Sequence, residues 1–112
     1  MINSKFKQLK DIRIWKVSCK DEGVRMLCKF LQKDETVTIV DVMGNGITSL
    51  GCEFFGQMLQ PAMNEVITIL KLDHNPIGSD GLGELARGLA TNKSIIVTLP
   101  TTPNNPFPRL YL

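Results

Sequence analysis

One order of side chains occurs twice in the chain at a fixed offset, and that order constrains the fold more than any other property of the sequence. Leu70, Leu72, Asn75, Ile77, Gly81, Leu85 and Leu89 recur 30 residues upstream as Val40, Val42, Asn45, Ile47, Gly51, Phe55 and Leu59. A looser version lies a further 28 residues back, as Ile12, Ile14, Val17, Cys19, Gly23, Leu27 and Leu31. The spacing starts with period two and ends with period four, so neither a lone strand nor a lone helix accounts for it. A unit this short cannot bury its own apolar side. Neighbouring units must stack and share one core, which specifies a solenoid.

Within each unit the residues spell strand, turn, helix. Ile12 and Ile14 alternate with Arg13 and Trp15, and Val37-Thr38-Ile39-Val40-Asp41-Val42 is rich in β-branched side chains, as strands favour. Met43-Gly44-Asn45-Gly46 must turn, since glycine and asparagine accept positive φ. Thr48 or Ser49 is placed to cap a helix carrying Leu50, Phe54, Phe55, Met58 and Leu59, and Pro61 forbids its continuation. The next unit runs from a strand near Ile67 to Leu72, through Asp73-His74-Asn75-Pro76, to a helix from about Ser79 to Ala90. The expected organisation is an N-terminal cap over 1–10, with Phe6 and Leu9 as anchors, and repeat units near 11–36, 37–66 and 67–94. A partial strand over 95–99 and an irregular Pro-rich tail over 100–112 follow. An asparagine at the turn can bond backbone groups that the curving strand leaves unpaired, and Asn45 and Asn75 are placed for this. Val17 is not, which makes the first unit a modified cap. At Gly23, Gly51 and Gly81, where each helix begins, a Cβ is expected to collide with the neighbouring turn.

The order L-x-L-x-x-N-x-I-x-x-x-G-x-x-x-L-x-x-x-L in Leu70 to Leu89 resembles the ribonuclease-inhibitor-like class of leucine-rich repeats. The resemblance extends over about Leu9 to Leu99, with departures at Val17, Cys19, Thr102 and Asn104. It implies an α/β fold: a short solenoid of about three repeats, with parallel strands on the concave face and helices on the convex face. It also implies a non-catalytic module that binds another protein through the concave face and its loops.

Apolar residues are 43% and charged residues 21%, ordinary for a folded domain, and 112 residues suffice for one core. A net charge of +2 does not point to nucleic acid, although Lys5, Lys7, Lys10, Arg13, Lys16 and Lys20 make one end basic. Cys19, Cys28 and Cys52 have no paired spacing, and no apolar run approaches a membrane span. A cytoplasmic protein is expected.

Aligning the strands places three columns on the inner face: Asp11, Ile39, Ile69, Ile96; Arg13, Asp41, Lys71, Thr98; and Trp15, Met43, Asp73, Pro100. A row of isoleucines beside Trp15 and Met43 is an apolar stripe where a solvated sheet face should be polar. The candidate partner-binding residues are therefore Arg13, Trp15, Ile39, Asp41, Met43, Ile69, Lys71 and Asp73. Alternatively, Phe107, Leu110, Tyr111 and Leu112 fold back over the stripe. The expected partner is a protein or a larger assembly, with self-association through the solenoid ends as an option. No small-molecule substrate, nucleic acid or cofactor is expected. Enzyme regulation, as inhibitor or GTPase-activating partner, and a structural role in an intracellular or cytoskeletal assembly are the alternatives. Catalysis is not expected: His74 is the one histidine and sits at a turn position occupied by Gly44 in the preceding unit. Cys19, Cys28, Cys52 and His74 lack metal-ligand spacing, and Gly44, Gly46 and Gly51 do not keep the spacing of a dinucleotide turn. Pro103-Asn104-Asn105-Pro106 fits P-x-x-P, a pattern that more often marks a stiff end than a ligand for an SH3-type domain.

Overall fold

A computed structural model describes residues 10–60, 63–64, 66–90 and 95–100, and the backbone of 109–111. Four parallel strands, β1 (Asp11–Arg13), β2 (Ile39–Asp41), β3 (Ile69–Lys71) and β4 (Ile96–Thr98), lie side by side in chain order. Between them run α1 (Lys20–Leu31), α2 (Ser49–Met58) and α3 (Gly78–Gly88). The helices all lie on one side of the sheet, because each strand-to-strand crossover buries its apolar stripe on the same face. Val40, Val42, Leu70, Leu72 and Val97 meet Val24, Leu31, Phe55, Met58, Leu85 and Leu89 in one buried cluster. Helices pack about 8–10 Å apart whereas strands sit about 4.8 Å apart. The helical side is therefore the longer one, and the sheet lines the inside of the curve.

The turns are held by the two asparagines. Asn75 Oδ1 accepts from the backbone N–H of Asn45 (2.8 Å) and Ile47 (3.1 Å) in the preceding unit, while its Nδ2 donates to the carbonyls of Val42, Leu72 and Asp73. Asn45 does the same one unit earlier: Oδ1 accepts from Val17 and Cys19, and Nδ2 donates to Ile14, Val42 and Met43. Val17 ends the ladder, having no amide to extend it, and is exposed. The first unit's turn differs accordingly, with Lys16, Ser18 and Lys20 all at positive φ.

Two further polar devices join the units. The Asp21 carboxylate of α1 accepts from Thr48 N (2.8 Å), Thr48 Oγ1 (2.6 Å) and Gly51 N (3.0 Å), so it caps α2 from the neighbouring unit, while Thr48 Oγ1 accepts from Leu50 N. A Cβ on Gly51 would lie 2.6 Å from that carboxylate oxygen, so the glycine leaves room for the cap. At the other end of the units, Asp34 accepts from the backbone N–H of Thr36 and Val37. Asn64, 30 residues on, accepts from Val66 and Ile67 and donates to Leu31 O at 2.7 Å. Both side chains return the chain from helix to strand. Gly88 of α3 meets the Gly56 backbone of α2, where a Cβ on either residue would strike the other helix.

One expectation is corrected. The tail was expected to be irregular, yet Arg109–Tyr111 forms a strand, β5, antiparallel to β4, with Leu110 opposite Val97. The edge of β4 offers unpaired backbone groups that any extended segment can join, prolines upstream notwithstanding. The N-terminal cap over 1–9 and the P-x-x-P segment lie outside the described residues, and α3 ends at Gly88 rather than Ala90.

Replacing Asn75 by alanine leaves buried backbone groups of two units unpaired and is expected to cost about 3 kcal/mol or more. Asn45→Ala is expected to cost less, because the Val17 and Cys19 N–H groups that it frees are only part-buried. Urea denaturation of the two variants checks the order.

Candidate functional site

The inner face is built by alternation. Core-facing Ile12, Val40, Leu70 and Val97 pair across the sheet, so their neighbours on either side turn to the concave surface. Asp11, Ile39, Ile69 and Ile96 form one row, and Arg13, Asp41, Lys71 and Thr98 form the next. Across three strand spacings the strip is about 14 Å wide.

Of the residues singled out in the sequence, Ile39, Ile69, Met43, Lys71 and Asp73 are half-buried on this face and Trp15 is 46% exposed. Three isoleucines in a row, with Trp15 and Met43 beyond the strand ends, leave apolar surface open to water on a sheet face that needs none for folding. Arg13 is exposed and reaches Asp11 at 3.3 Å rather than Asp41. Asp41 retains 5% of its surface, with Oδ1 accepting from Met43 N at 3.3 Å. Its role is thus to hold the turn after β2 rather than to present a charge, a detail hidden from the sequence because column position does not reveal how far neighbours cover a side chain.

His74 lies exposed at φ 60 in the turn after β3. Burial raises the thiols of Cys28 and Cys52 to about 12, helped at Cys52 by the Asp21 and Glu84 charges. Cys19 is also raised, by burial first and then by Asp21. Raised thiols are poor nucleophiles. Among the described residues no three His, Cys, Asp or Glu side chains gather as metal ligands, and no helix is long and apolar enough to cross a membrane. On the convex side, a shallow cleft between α2 and α3 is lined by Ser49, Leu50, Glu53, Asp80, Glu84 and Arg87, with Arg87 bonded to Glu84 at 3.0 Å.

The site is thus a curved, partly apolar sheet face on stacked strand–helix units. Comparison with known proteins agrees with that architecture. The family model for the leucine-rich repeat matches residues 33–56 and 64–86, the two units that carry the asparagine ladder. The structure also resembles that of leiomodin-1 actin-binding site 2, with a TM-score of 0.73 over 81% of this chain at 20% sequence identity. This chain spans 52% of that structure. No curated protein matches the chain by sequence. The chain is a leucine-rich-repeat protein.

Thiol chemistry tests the packing described here. At pH 8 a thiol reagent is expected to leave Cys28 and Cys52 unmodified in the native chain and to reach all three cysteines after unfolding. Because the unfolded thiols ionise near 9.0 and the buried pair near 12, their neutral burial contributes stability below pH 9.0 that is lost as pH rises toward 12. A fall in the urea midpoint across that interval, reduced in Cys28→Ala, checks the sign.

Proposed function

We propose that this chain is a non-catalytic interaction module that holds a segment of a partner protein against its concave face. The observation that carries the reading is the half-buried row of Ile39, Ile69 and Ile96 with Trp15 exposed beside it. Aromatic and methionine side chains such as Trp15 and Met43 are the types enriched at interface cores, and a few of them usually dominate binding. The isoleucine row supplies the desolvated strip, while Arg13, Lys71 and Asp73 form a polar rim. Three free cysteines fit a reducing, intracellular compartment, and the 28–30-residue units with full helices fit the ribonuclease-inhibitor-like subclass.

The test is partner capture by the immobilised chain, compared with Trp15→Ala and Ile69→Asp variants whose circular dichroism and urea midpoints show them folded. Loss of a desolvated aromatic anchor is expected to cost about 2 kcal/mol or more of binding, roughly a thirtyfold loss. Capture that survives both substitutions contradicts the reading.

A second reading, a subunit of a cytoskeletal assembly, is favoured by the likeness to leiomodin-1 actin-binding site 2. Co-sedimentation with filamentous actin tests it. Retention that saturates with actin concentration supports it, and a chain that stays in the supernatant removes it.

A further inference from the structure

We infer that the segment held by the concave face is acidic, with large apolar residues among its carboxylates. The inference rests on the reading above and adds the partner's chemistry, which follows from how the described charges are distributed and paired.

On the convex side, positive charges are satisfied within the helices. Arg25 is bonded to Glu22, and Arg87 to Glu84. Asp21, Glu53 and Asp80 add further negative charge to that side. The concave side is the reverse. Lys16, Lys20 and Lys71 make no ion pair among the described residues. The acidic side chains that share this surface are largely spent: Asp11 on Arg13, and Asp41 on the Met43 turn. Asp73, half-buried in the third unit, is the remaining acidic group there.

The lysines are also placed by the fold. At positive φ, Lys16 and Lys20 turn toward the second unit, where a Cβ on Gly44 would lie 3.1 Å from Lys16 Cγ and one on Gly46 would lie 3.6 Å from Lys20 Cγ. Their stems lie over the two glycines, and both residues are exposed. Trp15 precedes Lys16 directly and the isoleucine row begins one strand away at Ile39. Apolar anchor and unpaired cations are therefore contiguous at the first two units, and Asp73 disfavours carboxylates at the third. A strip about 14 Å wide inside a curve suits a strand or helix of a protein better than a planar membrane or a duplex about 20 Å across.

A library of random twelve-residue peptides displayed on phage, panned on the full-length chain, tests the inference. Peptides that bind should carry an excess of Asp and Glu with two or more of Leu, Ile, Phe and Trp. Synthetic copies should weaken about tenfold between low and physiological salt. They should weaken about tenfold again with Lys16→Glu or Lys20→Glu, exposed positions at which the urea midpoint should not move. Selected peptides without an acidic excess that still require Ile69 and Trp15 would overturn this inference and leave the concave-face reading standing. Acidic peptides indifferent to Ile69→Asp and Trp15→Ala would overturn both. Failure to select any peptide, or retention of phosphatidylserine vesicles in the same lysine-dependent way without any selected peptide, would overturn the assignment of an acidic protein segment.

Discussion

The hydrogen bonds of Asn45 and Asn75 are the interaction on which the rest depends. Each strand must give way to a helix that runs back along the outside of the arc, and at that bend the backbone can satisfy neither sheet nor helix. A primary amide can offer two donors and an acceptor from one buried position. Asn75 serves the carbonyls of its own strand end and of the unit before, and receives the two N–H groups of that unit's turn. The bond network thus crosses the unit boundary and fixes the stagger of successive units as well as the local bend. A leucine at the same place would fill space and leave those groups unpaired, at a cost of about 1–3 kcal/mol each.

Fixing that stagger also fixes the inner surface. Once Val40 and Leu70 are registered in the core, Ile39 must stand beside Ile69, and Asp41 beside Lys71. Core packing and surface composition are therefore separable: the alternate positions that face the helices carry stability, and those that face the concavity are free to carry recognition. The isoleucine row is notable on that account, since β-branched side chains suit the strand backbone but an exposed row of them is not required by it. On the convex side the helices come close through Gly56 and Gly88, which shortens the outer arc between α2 and α3. The asymmetry of charge pairing follows the same division, with helix bases neutralised by i, i+3 partners and strand-edge lysines left unpaired.

Much of this was legible in the sequence because the repeat states the same instruction more than once. Strand positions, their pairing, the asparagine turns and the glycines at the helix starts all recur at a constant offset. A second recurrence, Asp34 and Asn64, went unread because one is charged and the other is not, although both accept from the N–H groups two and three residues ahead. The cap that Asp21 places on α2 was hidden for another reason: it joins residues 27 apart, and nothing in the sequence around Thr48 indicates a donor shared with the previous helix. The strand at Arg109–Tyr111 is set by an open sheet edge, a property of the folded arc rather than of the tail. For the candidate site, columns were readable and coverage was not. Asp41 shares a row with Arg13 and Lys71, yet its neighbours bury it while Arg13 stays exposed.

The most direct test of the account is native-state hydrogen exchange at the backbone amides of Asn45 and Ile47, the two that Asn75 receives. If the asparagine ladder holds the turns and thereby the concave face, both amides exchange only through global unfolding, with a protection free energy equal to that from urea denaturation. Exchange near the unprotected rate while the amides of β2 and β3 remain protected would mean that the turns open independently. The ladder would then not be what fixes the surface.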